Sequence, residues 1–307
     1  MNRRSFLHST SSLVTGCALA PLTPLIGAVT PAKPSLGFSL YGMKNVPLSE
    51  SLKLCREIGY DHVEIALNKG YVTDPDTFSA EQRTALATEL ATLKLGMPCL
   101  MVNLSLAGEK AVTEGIPLLE KAAAFALHLN PTQPPVIETV LGGKPAEWDQ
   151  LKDGMIANLR RWAETAEKHR AIIALKAHVN SAVNSPERLA LLLESVPSPS
   201  LAAAYDFSHF QLQGIEMESS MRTLLPKTRF IHVKDSVKDE KGFRFVLPGE
   251  GSIDYLAFFT LLKKFNYTGP VCVEVSGQVF SKPGYDPKAA AIKSYQALAT
   301  PLQRVFA

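Results

Sequence analysis

The sequence predicts a single-domain α/β protein folded as a (β/α)8 (TIM) barrel, and three observations carry that prediction. From residue 35 onward, short apolar runs alternate eight times with longer amphipathic runs. The short runs are almost continuously apolar, which is typical of parallel strands that are buried on both faces. The first of them is not followed by a GxGxxG turn, which disfavours a doubly wound open sheet as the alternative fold.

The elements follow from the same patterning. Predicted strands cover residues 36–40, 62–66, 96–102, 135–140, 172–177, 201–205, 230–233 and 271–275. Predicted helices cover residues 48–58, 80–95, 109–127, 148–169, 186–193, 215–225, 253–265 and 287–302. Three helix starts carry capping signals, namely Ser79, Ser185 before Pro186, and Asp286 before another proline.

Composition excludes several classes of protein. The 307 residues are 46% hydrophobic and 20% charged, which is ordinary for a globular chain and unlike a disordered one. A net charge of +3, from 32 basic and 29 acidic residues, is too balanced to indicate a nucleic-acid partner. The four cysteines form no CxxC motif, and we expect Cys55, Cys99 and Cys272 to be buried, unreactive thiols.

Residues 1–34 read as an export segment that precedes the barrel domain at 35–307. Arg3 and Arg4, a Phe-Leu pair and an apolar stretch at 13–29 resemble a twin-arginine signal. Residues 14–17 also resemble a lipobox, which would place a lipid anchor on Cys17; cleavage nearer Ala28 is the alternative. We therefore expect an exported protein, either periplasmic or anchored to a membrane, with a disordered N-terminal tail as the other reading.

Charged and imidazole side chains stand at the carboxyl ends of the later strands. They are Glu138, Lys176, His178, Asp206, His209, His232, Asp235 and Glu274. Any one of them could be a helix cap, a loop histidine or half of an ion pair. Buried strands that repeatedly end in such groups indicate that the groups converge, and in this fold they converge at the catalytic mouth.

Four segments of the later half resemble the xylose isomerase-like TIM-barrel superfamily, and within it the sugar phosphate isomerase/epimerase branch that includes the ketose 3-epimerases. The segments are 205–209, 232–235, 248–255 and 269–274. The resemblance implies a divalent metal (Mn²⁺, Mg²⁺, Co²⁺ or Zn²⁺) held by Glu, Asp, His and Glu from strands five to eight. Asp206, His232 and Glu274 match three of those ligands, and the ion would polarise a substrate carbonyl.

Roles in the reaction are expected for these and neighbouring residues. Glu274 is expected to act as an acid/base group with Lys176 as its counterpart, while His209 orients the substrate. His178, Asp235 and Glu64 are assigned to contacts with the substrate.

Lys176 stands where the family has its strand-five glutamate. Three accounts remain open for this change. Glu138 or His178 replaces the missing ligand, leaving Lys176 as a base of lowered pKa or a donor to the carbonyl; Lys176 supplies the metal's charge itself; or the site is inactive.

The function expected from these residues is an exported isomerase or epimerase that acts on a small carbohydrate by metal-assisted proton abstraction next to a carbonyl. A lyase or hydratase acting on a keto-sugar is the enzymatic alternative, because it uses the same enolate chemistry. A non-catalytic carbohydrate-binding barrel is the alternative from another class. A DNA repair nuclease is disfavoured by the near-neutral charge.

Overall fold

The computed structural model describes residues 32–240 and 242–307. In these residues eight parallel strands close into a barrel, in the order β1-β2-β3-β4-β5-β6-β7-β10. The barrel strands are β1 (Ser35–Ser39), β2 (His62–Ala66), β3 (Gly96–Met101), β4 (Val136–Val140), β5 (Ile173–Lys176), β6 (Leu201–Tyr205), β7 (Thr228–Val233) and β10 (Pro270–Val273). The predicted (β/α)8 architecture is confirmed, with strand ends shifted by at most two residues. The expected export segment and Cys17 lie outside the described residues and stay predictions.

Helices connect the strands on the outside of the barrel. They are α1 (Leu48–Ile58), α2 (Ala80–Leu93), α3 (Lys110–Thr113), α4 (Gly115–Leu129), α5 (Trp148–Lys168), α6 (Pro186–Ser195), α7 (Phe207–Gln211), α8 (Met217–Leu224), α9 (Tyr255–Lys264), α10 (Gly277–Phe280) and α11 (Pro287–Phe306). The capping signals are confirmed, since Ser79, Ser185 and Asp286 each accept a hydrogen bond from a backbone N–H in the first turn of α2, α6 and α11. Among the helices of the described residues, none is long and apolar enough to cross a membrane.

The helix predicted over 109–127 is divided in the structure. It ends at Thr113 and restarts at Gly115, where an added Cβ would come within 3.2 Å of the Trp162 ring. The Trp162 indole N–H donates a hydrogen bond of 2.7 Å to the carbonyl oxygen of Ala111, which lies in the short helix α3. Tertiary packing against α5 therefore overrides the local helical pattern.

A hairpin between β7 and α9 was not predicted. Strands β8 (Asp235–Asp239) and β9 (Gly242–Val246) pair antiparallel as a separate sheet. Charged residues fill most of β8, so its sequence resembles a loop rather than a strand. The hairpin matters for the site because it carries Phe245 to the barrel mouth, where the ring packs 4.9 Å from that of His209, centroid to centroid.

The barrel interior is closed by apolar side chains below the mouth. Cys55, Cys99 and Cys272 are free and buried, as predicted, and burial raises the pKa of the Cys55 thiol to about 12. Strand register aligns Cys272 with His232 and Lys176 with Ala204. The polar residues that follow these positions therefore reach one edge of the barrel together.

Candidate active site

Lys176 is the last residue of β5, and its ammonium lies at the centre of a buried charged group. Only 2% of its side chain is exposed. The Nζ atom lies 3.0 Å from Glu138 Oε1, 3.3 Å from Glu274 Oε2 and 2.9 Å from His232 Nδ1. Strands β4, β5, β7 and β10 thus bring these four residues to one point, as the sequence analysis expected. We call these residues, with Glu64, Asp206, His209 and Lys234, the mouth cluster.

A second ammonium belongs to Lys234, the residue directly after β7. It is 3% exposed, donates to Glu274 Oε2 over 2.5 Å, and forms an ion pair with Asp206 Oδ2. The sequence analysis gave Lys234 no part in the chemistry. The signal that could have found it is its position, two residues after His232, at the same strand edge as the predicted site residues.

His232 is fixed through both ring nitrogens. Its Nε2 lies 2.9 Å from Glu64 Oε2, and Lys176 contacts Nδ1 on the other side of the ring. An ammonium can donate only to an unprotonated nitrogen, so the proton of neutral His232 lies on Nε2 and points to Glu64. Glu64 is fully buried beneath the imidazole. Its expected contact with substrate is therefore not what the structure shows, since it orients His232 instead.

His178 and His209 form an aromatic wall beside Asp206. Their ring centroids are 4.1 Å apart, and His209 Nε2 lies 3.4 Å from Asp206 Oδ2. Burial lowers the pKa of His209 to about 4, with the Lys234 charge adding to the effect. Burial and the neighbouring His209 lower the pKa of His178 to about 2. Both rings are neutral near pH 7 and can exchange hydrogen bonds with hydroxyl groups.

Asp235 was expected to contact substrate, but its carboxylate organises a loop. It accepts hydrogen bonds from three backbone N–H groups, those of Ser236 (2.9 Å), Gly249 (3.2 Å) and Ile253 (3.2 Å). A Cβ at Gly251 would overlap its Oδ1 atom, so the glycine is needed for this close approach. The Pro-Gly-Glu-Gly segment is thus shaped around Asp235.

The charges in the mouth cluster stabilise one another's ionised forms. Burial alone would lower the pKa of Lys176, but Glu138 and Glu274 outweigh it and raise that pKa above its ordinary value. Burial likewise opposes ionisation of Glu274, yet the two ammonium groups hold its pKa well below the usual range. Lys176 is therefore a permanent cation, contrary to the alternative in which a lowered pKa makes it a base.

Glu138 was a candidate substitute ligand for a metal. The structure pairs it with Lys176, and the groups of potential ligands among the described residues do not include it. Burial raises the pKa of Glu138, while the Lys176 ammonium opposes that shift. Its role in the structure is that of a counter-ion to the lysine.

Two groups of potential metal ligands exist among the described residues. Ligand atoms of Asp206, His232 and Glu274 lie within 4.8 Å of one another, and so do those of Glu64, His232 and Cys272. In the first group, however, each of these three residues already contacts an ammonium, either that of Lys176 or that of Lys234. A divalent cation in the first group would lie against two positive charges, so Asp206, His232 and Glu274 as arranged do not fit one.

Aromatic rings adjoin the exposed side of the cluster. The side chain of Glu274 is 12% exposed, more than that of any other carboxylate in the mouth cluster. Tyr41, which follows β1, packs edge-on against Phe280 with centroids 5.0 Å apart. Phe245 lies with its centroid 5.1 Å from Lys234 Nζ. Such rings suit the apolar faces of a sugar, while the cluster offers charged and hydrogen-bonding groups.

Comparison with known proteins places the fold and the family of this chain. SgbU of Escherichia coli, provisionally named an L-ribulose-5-phosphate 3-epimerase, is 25% identical over 251 residues, which cover 76% of this chain and 85% of SgbU. Inosose dehydratase of Geobacillus kaustophilus is 24% identical over 164 residues, 48% of this chain and only 52% of that enzyme. A crystal structure of the IolI protein with bound zinc shares the fold, with a TM-score of 0.73 at 20% identity, covering 88% of this chain and 99% of that one. Residues 52–299 match the family described as xylose isomerase-like TIM barrel, and the chain belongs to that family.

Proposed function

We propose that this protein is an isomerase or epimerase that removes a proton next to the carbonyl of a small carbohydrate. The observation that carries the proposal is the position of Glu274. Its carboxylate reaches the surface of the mouth while two ammonium groups lie within hydrogen-bond distance of it. Positive charge fixed beside a carboxylate suits enolate formation, because negative charge develops on the carbonyl oxygen. The carboxylate becomes the base once the substrate's carbonyl has taken an ammonium partner from it.

The residues divide the reaction between them. Glu274 takes the proton from carbon, and the ammonium groups stabilise the oxygen anion that forms. Neutral His209 and His178 hold substrate hydroxyls, and the buried Glu138 and Glu64 keep Lys176 and His232 in place. Return of the proton from Glu274 to the adjacent carbon, with transfer of the hydroxyl proton between the two oxygens, gives isomerisation. Epimerisation needs, in addition, a proton delivered to the original carbon from the opposite face by a second acid group.

The sequence analysis added a divalent metal to this reaction. Asp206, His232 and Glu274 are the residues that would hold it, and such an ion would polarise the carbonyl. Because those residues already contact the two lysines, the proton is taken by Glu274 and the developing charge is stabilised by the ammonium groups.

A second candidate is a dehydratase acting on a keto-sugar. The match to inosose dehydratase favours it, although that match spans about half of the enzyme's length. Loss of water from an enolate begins with the same proton abstraction. The two candidates therefore share Glu274 and differ in whether a hydroxyl group leaves the substrate.

Solvent exchange tests the proposal. The protein is incubated in D₂O with a panel of ketoses and keto-sugars, and proton NMR follows the signal of the C–H next to the carbonyl. We expect exchange with at least one sugar, and a loss of at least 100-fold in Glu274→Gln. Glu187→Gln, an exposed change on α6, serves as control and should exchange at the normal rate. Tight binding of a sugar without exchange would instead support the carbohydrate-binding alternative, and loss of water would support the dehydratase.

We also propose that the chain is exported through its twin-arginine segment, with Cys17 as the candidate lipid site. The support is the pattern at Arg3 and Arg4 together with the apolar stretch that follows. Expression in a bacterium with an active twin-arginine pathway, followed by fractionation and mass spectrometry of the new N-terminus, tests it. Replacing both arginines by lysine should leave the protein in the cytoplasm; unchanged distribution would refute the proposal.

A further inference from the structure

We infer that Lys234, together with Lys176, takes the place of the divalent metal in this barrel, so that proton abstraction proceeds without a metal ion. The inference rests on the proposed function and names Lys234 as a further catalytic residue. It also specifies the substrate class, a sugar with a carbonyl group that can accept a hydrogen bond from an ammonium.

The first support is the position of the Lys234 ammonium. It bridges Asp206 Oδ2 and Glu274 Oε2, the carboxylate oxygens that would bind an ion. A metal ion held by Asp206 and Glu274 would need the space between these two carboxylates. The Nζ atom already lies there, 2.5 Å from Glu274 Oε2. The ammonium and a metal ion therefore exclude each other.

The second support is the imidazole. A metal needs an unshared electron pair on a ring nitrogen. Because the N–H of His232 points to Glu64, only Nδ1 has such a pair, and that pair already accepts a hydrogen bond from Lys176. Lys176 lies 2.9 Å from Nδ1, and Glu64 lies 2.9 Å from Nε2. Lys176 is itself held in position by Glu138, 3.0 Å from its Nζ on a neighbouring strand. Freeing the imidazole would require this buried ion pair to break.

The third support is the formal charge. Two ammonium groups carry the same +2 that a divalent ion would supply, and both contact Glu274. The positive charge that stabilises an enolate is therefore present at this mouth in the residues themselves. The Lys234 side chain also lies against the ring of Phe245, which shields one side of it.

These positions give a balanced step. Lys234 keeps its ion pair with Asp206 and exchanges Glu274 for the substrate's carbonyl oxygen. Glu274 then keeps only the longer contact with Lys176, 3.3 Å away, and becomes a stronger base. The C–H bond breaks, its proton forms an O–H bond on Glu274, and its electron pair moves into the enolate. The charge of the enolate oxygen faces the Lys234 ammonium. Reprotonation at carbon restores the Glu274 carboxylate.

The test separates metal binding from activity. The full chain is treated with a chelator, and cobalt(II) is then titrated in while calorimetry and the visible absorption of bound cobalt are recorded. We expect no stoichiometric cobalt site in the natural protein, and deuterium exchange in a responsive sugar that chelation changes less than twofold. Stoichiometric cobalt binding with exchange that is lost on chelation would overturn the inference and leave the proposed function standing. If no sugar exchanges under any condition, the proposed function fails, and the cobalt titration still decides the question of the metal.

Substitutions give an independent readout. Lys176→Glu adds an acidic side chain as a fourth ligand beside Asp206, His232 and Glu274, and we expect the variant to bind cobalt at least tenfold more tightly. Adding Lys234→Ser should tighten binding further. Unchanged cobalt affinity in both variants would contradict the assignment of these lysines to the metal's place.

Lys234→Met should lower exchange at least 100-fold, and Lys234→Arg should recover part of it because the positive charge is kept. Lys264→Met, an exposed change on α9, is the matched control. Full exchange activity in a folded Lys234→Met protein would also overturn the inference.

Discussion

Removing the ammonium of Lys176 tests the electrostatics of the mouth cluster most simply. The change to Met keeps the length and much of the volume of the side chain and deletes the charge. Because Lys176 and Glu138 are 2% and 1% exposed, water cannot replace the lost partner. Breaking a buried pair by removing one member typically costs about 3–5 kcal/mol, and we expect the free energy of unfolding to fall by that amount at pH 7.

Urea unfolding followed by far-UV circular dichroism measures this loss. Adding Glu138→Gln to Lys176→Met removes the carboxylate that has lost its partner. The double variant should therefore be more stable, by more than about 1 kcal/mol, than the sum of the two single effects predicts. Lys264→Met, whose exposed ammonium pairs with Glu218 on the outer surface, should cost less than about 1 kcal/mol. A loss below about 1 kcal/mol in Lys176→Met, or strict additivity with Glu138→Gln, would refute the account of a mutually stabilised buried cluster.

Three further predictions concern the barrel as a whole. Gly37→Ala would place a Cβ 2.0 Å from the His62 ring and should lower the free energy of unfolding in urea by about 1–3 kcal/mol. Gly154, within α5, has no atom within 4 Å of an added Cβ, so Gly154→Ala should raise the free energy of unfolding by about 0.5–1 kcal/mol. Equal effects of the two changes would contradict the packing around Gly37. Burial lowers the pKa of His62 from 6.5 to about 4, so the unfolded chain binds a proton at a higher pH than the folded protein does. The stability that is present above pH 6.5 is therefore lost as the pH falls to 4, and the loss is about 3 kcal/mol. His62→Phe should flatten that part of the stability profile, and an unchanged profile would show that another group titrates there. Asp235→Ala should lower the melting temperature and slow sugar exchange together, because three loop N–H groups lose their acceptor; full stability would contradict its role in the loop.

Local patterning was enough to predict most of the barrel. The eight apolar runs and the caps at Ser79, Ser185 and Asp286 depend on short-range rules, and the structure confirms them. The sequence did not predict the hairpin formed by β8 and β9, because β8 is charged and partly exposed and lacks the apolar pattern of a barrel strand. The sequence did not predict the break before Gly115, because the residue that packs against it, Trp162, lies far away in the chain.

The site was predictable as a set of residues but not as an arrangement. Strand ends showed that Lys176, Asp206, His232 and Glu274 would meet, since parallel strands share one carboxyl edge. The protonation of Lys176 depends on Glu138, and the position of Lys234 depends on two carboxylates from other strands. Such pairings are long-range, and no spacing rule in a single sequence encodes them. The sequence therefore left open whether Lys176 is a base, a substitute charge or a sign of an inactive site.

The proton NMR spectrum of a ketose kept in D₂O with the chelator-treated protein measures the central claim directly. The account predicts that the signal of the proton next to the carbonyl disappears at the same rate before and after chelation. A signal that persists after chelation and disappears only when manganese or cobalt is restored would contradict it.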